Sequence, residues 1–467
     1  MDRRRGVMVC CALSVLLALA ASHRADAAES PWLFVPRATN PALTPRVFGA
    51  AAGQNGGAQV VTYGGQRADG SAPLAETWVH DASGSWVPRC GTTVTGATGA
   101  CGPGPRVGLG MGTGPAGAVL FGGFPDGLGA GPPQGDTWAW DGGAWQQICT
   151  EATCGPGGRG LSAMAGNGTQ VVLFGGITAS GLVDDTWVFD GSTWSQTCGG
   201  SLPLACGPAP LAAAAMAWDG EQFVLFGGTD PDGGGTVDDT WTFDGASWAR
   251  VCGTATGTPC GPPARGLSAF AFASSPQPQL QGAVLAEGGD LFGPGTQTLY
   301  RDAWFWHAGT WSELAAPWSG DPVTFVGEPP PGAHPLLGVL AARPSSCDVL
   351  FLATGLTATG PPPDFDAYSF TGGRDLAGTG QPAGCAAPVS LPAPTTTPTT
   401  SVPVRAVSTA TSGPAAETIA DTGPSLLEWQ LASAIALILL GASLVGLARG
   451  SGATEYRDAE RGGRKHP

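Results

Sequence analysis

One phrase recurs along this chain: an apolar strand ending in paired glycines, a loop of variable length, an acidic residue and Trp, a short turn, then a second Trp and Cys. Its clearest copies are ValValLeuPheGlyGly at 171–176 with AspAspThrTrpValPheAspGlySerThrTrp at 184–194, and PheValLeuPheGlyGly at 223–228 with AspAspThrTrpThrPheAspGlyAlaSerTrp at 238–248. Glycine pairs at Gly64/Gly65, Gly122/Gly123, Gly175/Gly176, Gly227/Gly228 and Gly288/Gly289 set a period of 52 to 61 residues. A period of that length marks a toroid of small sheets.

Inside each unit the apolar residues alternate with period two. GlnValValLeuPhe at 170–174 reads as a fully buried strand, ThrTrpValPhe at 186–189 alternates, and AspGly at 190–191 between aromatic flanks is a hairpin signal. ArgGlyLeuSerAlaMetAla at 159–165 supplies a first strand, so each unit is predicted to be a four-stranded antiparallel meander. Such a sheet buries its faces only by stacking radially on its neighbours.

The glycine pair, the spaced Tyr or Trp, the second Trp and the ProArg start resemble the kelch repeat. The resemblance spans about 350 residues and implies a β-propeller. A sixth copy is worn: LeuPheLeuAlaThrGly at 350–355 lacks the second glycine, Tyr368 stands in the Trp place, and no closing Trp strand follows. Trp32-Leu33-Phe34-Val35, followed by Pro45-Arg46, repeats the arrangement of Trp86 before Pro105-Arg106 and supplies the missing strand. The expectation is an all-β, six-bladed kelch-type propeller over residues 28–387, closed by its N-terminal strand so that two open sheet edges disappear.

Cysteine follows the same register. Cys90 and Cys101, Cys149 and Cys154, Cys198 and Cys206, and Cys252 and Cys260 each pair a residue after the last Trp of a unit with the Cys of a CysGlyPro. Four copies of one loop predict four copies of one disulfide, and Cys347 and Cys385 remain as a fifth pair. Zinc is disfavoured by irregular spacing and the absence of accompanying histidines.

Both ends of the chain carry targeting signals. Arg3, Arg4 and Arg5 precede an apolar run from Val7 to Ala21, and Ala25-Asp26-Ala27 ends an expected signal peptide at residues 1–27. Residues 388–425, rich in Pro, Thr and Ser, read as an extended stalk. It ends in Ile419-Ala420-Asp421-Thr422-Gly423, which looks like a LeuAlaXaaThrGly sorting signal and implies sortase cleavage between Thr422 and Gly423. Residues 426–448 are expected to form a transmembrane helix, and 449–467 a basic cytoplasmic tail. Plain membrane anchoring and sortase attachment to a cell wall both remain open, and either displays the propeller outside the cell. Residues 28–425 hold 12 Arg and no Lys against 30 Asp and Glu, a net charge of −18 that disfavours nucleic acid as a partner.

Propellers host enzymes and binding modules alike. A galactose oxidase-like copper site needs two tyrosines, two histidines and a cysteine, whereas His80 and His307 stand at substituted repeat positions and every cysteine of the exported chain is assigned. An acid recurs before Trp in every unit, at Glu76, Asp136, Asp185, Asp239, Asp302 and Asp366. That repetition predicts a structural role, accepting backbone N–H groups at a turn. A glycosidase pair should occur once, and no arginine triad accompanies the AspGly turns that resemble sialidase Asp-boxes. Asp230 and Asp232 are weak calcium candidates, since Trp241 stands where an EF-hand loop would place its bidentate acid.

The variable loops near 66–75, 124–135, 177–183, 229–237, 290–300 and 356–364 share one face with the cysteines, and loops that vary on a rigid scaffold are where recognition concentrates. Phe124, Leu128, Leu291, Phe292 and Tyr300 are the candidate ligand-contact residues. The expected function is a non-enzymatic, cofactor-free surface propeller that binds a carbohydrate or a protein. The alternatives are a carbohydrate-active enzyme, testable by whether Glu221, Glu287 and Asp290 converge, and a structural envelope protein.

Overall fold

The computed structural model describes residues 32–36, 46–54, 59–67, 72–81, 85–91, 99–200, 202, 206–229, 235–253, 257–273, 281–290, 297–314, 320–325, 339–343, 348–352 and 367–372. Of 32–36, Asp290, Gln297 and everything from 320 onward, only the backbone is described. The chain is all-β, built from repeated four-stranded antiparallel sheets and compatible with a propeller.

Six such sheets occur among the described residues. The first runs through Ala50–Gln54, Gln59–Tyr63, Thr77–His80 and Trp86–Cys90. The second comprises Gly110–Gly114, Gly117–Phe121, Thr137–Trp140 and Trp145–Cys149. Ala163–Gly166, Val171–Phe174, Thr186–Phe189 and Trp194–Cys198 make the third. Ala215–Trp218, Phe223–Phe226, Thr240–Phe243 and Trp248–Cys252 make the fourth. The fifth holds Ala269–Ala273, Gly282–Ala286, Ala303–His307 and Thr310–Leu314. The sixth joins Val339–Arg343, Asp348–Leu352 and Ala367–Gly372 to Trp32–Pro36, with Trp32 opposite Gly372 and Pro36 opposite Tyr368. We call the strands of each sheet a to d in that order. The a strands touch one another in cyclic order, the sixth meeting both the fifth and the first.

The core repeats with the sheets. Strand b is sealed on both faces, as at Val171, Val172, Leu173 and Phe174, each at 0% exposure. Its β-branched and aromatic side chains suit the space between two packed sheets. The last residue of strand b meets the strand d Trp of the following sheet edge to face, in the pairs Tyr63–Trp145, Phe121–Trp194, Phe174–Trp248 and Phe226–Trp311, with ring centroids 5.3 to 5.5 Å apart. The same indoles donate their N–H backward to the Thr that opens strand c of the preceding sheet. The four bonds are Trp145 to Thr77, Trp194 to Thr137, Trp248 to Thr186 and Trp311 to Thr240, at 2.8 to 3.0 Å. Each therefore joins neighbouring sheets through a buried, satisfied polar pair.

The four register-predicted disulfides are present, Cys90–Cys101, Cys149–Cys154, Cys198–Cys206 and Cys252–Cys260. A one-residue bulge in strand d, opposite the Thr-Trp step of strand c, brings Thr opposite the first Cys of each pair. The second Cys lies within 3.0 to 3.2 Å of that Thr hydroxyl. The single-turn helix Glu151–Cys154 fills the shortest of these connections.

Several expectations fall on residues outside those described: the signal peptide, the Cys347–Cys385 pair, the stalk, the Thr422-Gly423 bond and the 426–448 span. Among the described residues no helix is long and apolar enough to cross a membrane.

Candidate functional site

Strand alternation puts the b–c loops and the d–a connections on one face and the a–b and c–d turns on the other. On the loop face, five repeats each contribute one residue with left-handed backbone to the axis where the a strands converge: Phe48, Gly108, Leu161, Ala213 and Leu267, at φ between 54° and 66°. Their peptides bond head to tail. Gly108 N–H donates to Phe48 C=O at 2.9 Å, Leu161 to Gly108 at 2.7 Å, Ala213 to Leu161 at 2.8 Å and Leu267 to Ala213 at 2.8 Å. Four of the five are not glycine, so each holds a conformation costing about 1–3 kcal/mol that only the surrounding ring maintains.

These residues and those that follow them, Gly49, Leu109, Ser162, Ala214 and Ser268, line an open pit of about 130 Å³. No lining residue is ionisable. The two serine hydroxyls turn away from it, Ser162 donating to Gly175 C=O at 3.0 Å and Ser268 to Glu287 C=O at 2.9 Å. The pit therefore offers apolar side chains and backbone, a surface suited to an uncharged group of a larger ligand.

Asp366 lies outside the described residues, and around the pit the other recurring acids are locked in structural pairs. Arg46 Nη2 donates to Glu76 at 2.8 Å, Arg106 Nη1 to Asp136 at 2.7 Å, Arg159 Nη2 to Asp185 at 3.1 Å and Arg265 Nη2 to Asp302 at 2.7 Å. The same carboxylates accept the indole N–H of Trp78, Trp138, Trp187 and Trp304, two residues further on. Each guanidinium also donates to the carbonyl of the left-handed residue just after strand b: Gly64, Gly122, Gly175 and Glu287. The acids thus serve the fold, but their partners are Arg and Trp rather than the backbone N–H groups expected from the sequence. Burial alone would raise the Asp136 pKa, and the hydrogen bonds and charge of Arg106 with the Trp138 indole bring it below the ordinary value. The fourth repeat has Leu211 in the arginine place, and Asp239 pairs instead with Arg250 of strand d, whose guanidinium lies 5.5 Å over the Trp241 ring.

Backbone-capping carboxylates do occur, on the opposite face. Asp190 Oδ1 accepts the N–H groups of Ser192 and Thr193 at 2.8 Å, and Asp141 and Asp244 do the same in the equivalent c–d turns. Those bonds pull the Asp190 pKa down to about 2.

Of the candidate contacts, Phe124 is a packing residue, 3% exposed, with its main chain bonded both ways to Val107. A Cβ on Gly160 would overlap its ring, so it fills a gap between the second and third repeats. A large apolar residue in a variable loop looks the same in sequence whether it meets a ligand or fills a gap, and the glycine that receives it lies thirty-six residues along the chain. Leu128 is half-buried, and its Cδ1 would lie 3.2 Å from a Cβ on pit-lining Gly108, which places it beside the pit. Tyr300 is half-buried, its ring centroid 4.1 Å from the Arg265 guanidinium carbon. The structure does not bring Tyr300 together with Phe124. Leu291, Phe292, Asp230 and Asp232 lie outside the described residues.

Glu221 sits in the a–b turn of the fourth sheet and Glu287 at the far end of strand b of the fifth, so these two acids occupy opposite faces. Among the described residues no three His, Cys, Asp or Glu side chains converge as metal ligands. His80 is buried against Trp86, and His307 bonds through Nδ1 to Gln281 C=O at 2.7 Å. Tyr63 donates its hydroxyl to Gly104 C=O at 2.7 Å.

One correction concerns register. The fifth strand b ends at Ala286, so the positions equivalent to Gly175 and Gly176 are Glu287 and Gly288, at φ 54° and 99°, and not Gly288 and Gly289. Glu287 N–H donates to Asp302 C=O as Gly175 does to Asp185. The visible glycine pair concealed a glutamate in a position that four other repeats reserve for glycine.

Neither a protein-family model nor a curated protein matches the chain.

Proposed function

We propose that this chain is a six-bladed, kelch-type propeller, closed by its N-terminal strand, exported and held at a bacterial surface by its C-terminal segment. It acts there as a non-enzymatic receptor for a carbohydrate or protein. The observation that carries the reading is the contrast on the loop face: a recurring frame of head-to-tail peptides and, in four repeats, Arg–carboxylate–Trp units, beneath b–c loops that differ in every repeat. Loops presented by a frame of that kind vary without loss of fold. The uncharged axial pit supplies a fixed recess for one group of the ligand, Leu128 flanks it, and Tyr300, half-buried on the Arg265 guanidinium, is a further contact of this reading. The four disulfides fit an oxidising compartment.

A carbohydrate-active enzyme is the second reading, and the separation of Glu221 from Glu287 weighs against the pair it would use. The two readings part on a glycan array followed by product analysis. Saturable binding that returns the glycan intact supports a receptor, and a shortened or oxidised glycan supports an enzyme.

A further inference from the structure

In the first four repeats, the left-handed glycine at the end of strand b has no room for a side chain. A Cβ on Gly64 would fall 2.7 Å from Arg106 C=O and one on Gly175 2.5 Å from Leu211 C=O, with Gly122 and Gly227 closer still to Arg159 and Arg265. The obstacle is each time the entry residue of the following repeat, which lies against the glycine. The next peptide N–H completes the contact, Gly65 donating to Arg106, Gly123 to Arg159, Gly176 to Leu211 and Gly228 to Arg265. The fifth repeat puts a whole glutamate there. The repeat that follows it is the sixth, whose strand a packs on strand a of the fifth.

The same joint lacks the other two clasps. Ala303 stands where Thr77, Thr137, Thr186 and Thr240 accept an indole from the next sheet, and it faces Leu314 where those threonines face a disulfide cysteine. Three substitutions thus coincide at one junction of the ring: Glu for Gly, Ala for Thr and Leu for Cys.

Glu287 is 3% exposed, and among the described residues its Oε2 has no hydrogen-bond partner. Burial, reinforced by the Asp302 charge and opposed by Arg301, pushes its pKa up to about 8. Arg265 cannot serve as its counterion, since that guanidinium already holds the Asp302 carboxylate and the Glu287 carbonyl and carries Tyr300 on its face. In the sixth sheet, Arg343 and Asp348 stand opposite one another at the a–b turn, the far end from Glu287. An ionised carboxylate at Glu287 would be buried without a partner among the described residues, whereas the neutral acid is tolerated.

We propose that Glu287 makes the junction of the fifth and sixth sheets a pH-gated joint, closed while its carboxyl is neutral and loosened when it ionises. The sixth sheet holds both the N-terminal strand and the last strand before the anchor, so loosening this joint frees the point where the ring closes and where it meets its tether.

The test is amide hydrogen exchange of the oxidised full chain between pH 6 and pH 9, corrected for the intrinsic rate, in the native protein, E287Q and E287G. Opening of strands 282–286, 339–343 and 348–352 should increase in the native protein by roughly tenfold per pH unit up to about pH 8. Strands of the second to fourth sheets should not follow. E287Q, neutral throughout, should lose the pH response, and E287G should be protected at both ends of the range. If E287Q keeps the native response, or if the loosening spreads equally over all the sheets, the proposal is wrong. Thermal unfolding of the same proteins is the second readout: an equal fall in Tm on going alkaline in native and E287Q would overturn it independently.

Discussion

The indole N–H of Trp194, in strand d of the third sheet, donates to the hydroxyl of Thr137, in strand c of the second, at 2.9 Å. Thr137 is completely buried and also lies 3.2 Å from the Cys154 sulfur, so one hydroxyl joins two neighbouring sheets and their disulfide. Thr137→Val keeps the shape and removes the acceptor, leaving a buried indole N–H unpaired. It should cost about 1–3 kcal/mol in denaturant unfolding. Combining it with Trp194→Phe should give a clearly non-additive cycle, as expected of two groups in contact.

The arginine frame makes a transplant possible. Arg159→Leu copies the Leu211 of the fourth repeat and strands the Asp185 carboxylate, which should cost about 3–5 kcal/mol. Gln196 occupies the third-repeat position that Arg250 holds in the fourth, opposite the strand c Trp in both. Adding Gln196→Arg to Arg159→Leu should therefore recover much of the loss. Urea midpoints of the single and double variants check this, and a double variant no better than Arg159→Leu would show that the two arrangements are not interchangeable.

The c–d turns set the acid limit. Asp190 has its folded pKa depressed to about 2 from an ordinary 3.8 by the N–H groups of Thr193 and Ser192. Its contribution is complete above the unfolded value and is lost as pH falls through that window. Asp190→Asn retains the acceptor oxygen without the charge, so the Tm of the variant should fall less than that of the native chain between pH 4 and pH 2. Parallel curves would mean the turn carboxylates carry no acid sensitivity.

Each disulfide closes a short loop, the four spanning 5 to 11 residues of sequence. Replacing Cys198 and Cys206 together by Ser should destabilise the chain by about 2–3 kcal/mol through the freed loop alone. Peptide mapping without reduction should recover the same four pairs, and any exchange between repeats would contradict the register.

Much of this architecture could be read from the chain because repetition supplies its own controls. Four copies of a Trp–Cys–CysGlyPro spacing fixed the cysteine partners, and Trp32 to Val35 announced a strand d without a sheet of its own, which the pairing of Trp32–Pro36 with Ala367–Gly372 matches. The side-chain partners were less accessible. Arg106 and Asp136 lie thirty residues apart, and only the meander brings them together, so local sequence suggests for the acid the commoner turn role that belongs to Asp190. Glu287 was hidden for a different reason: Gly288 and Gly289 preserve the look of the pair while the backbone register starts one residue earlier. Phe124 shows the limit of inferring contact from a large apolar residue in a loop, because such a residue also serves to fill space between loops.

Glycan- and protein-array binding by the oxidised chain, compared with an Ala213→Leu variant that copies the Leu161 and Leu267 of the neighbouring ring positions and adds bulk to the pit, tests the receptor account most directly. The account predicts a saturable ligand whose affinity drops at least about tenfold in the variant, the equivalent of 1.4 kcal/mol, while the melting temperature and the four disulfides stay as they are. A ligand bound equally well by both proteins, or one returned chemically altered, would contradict it.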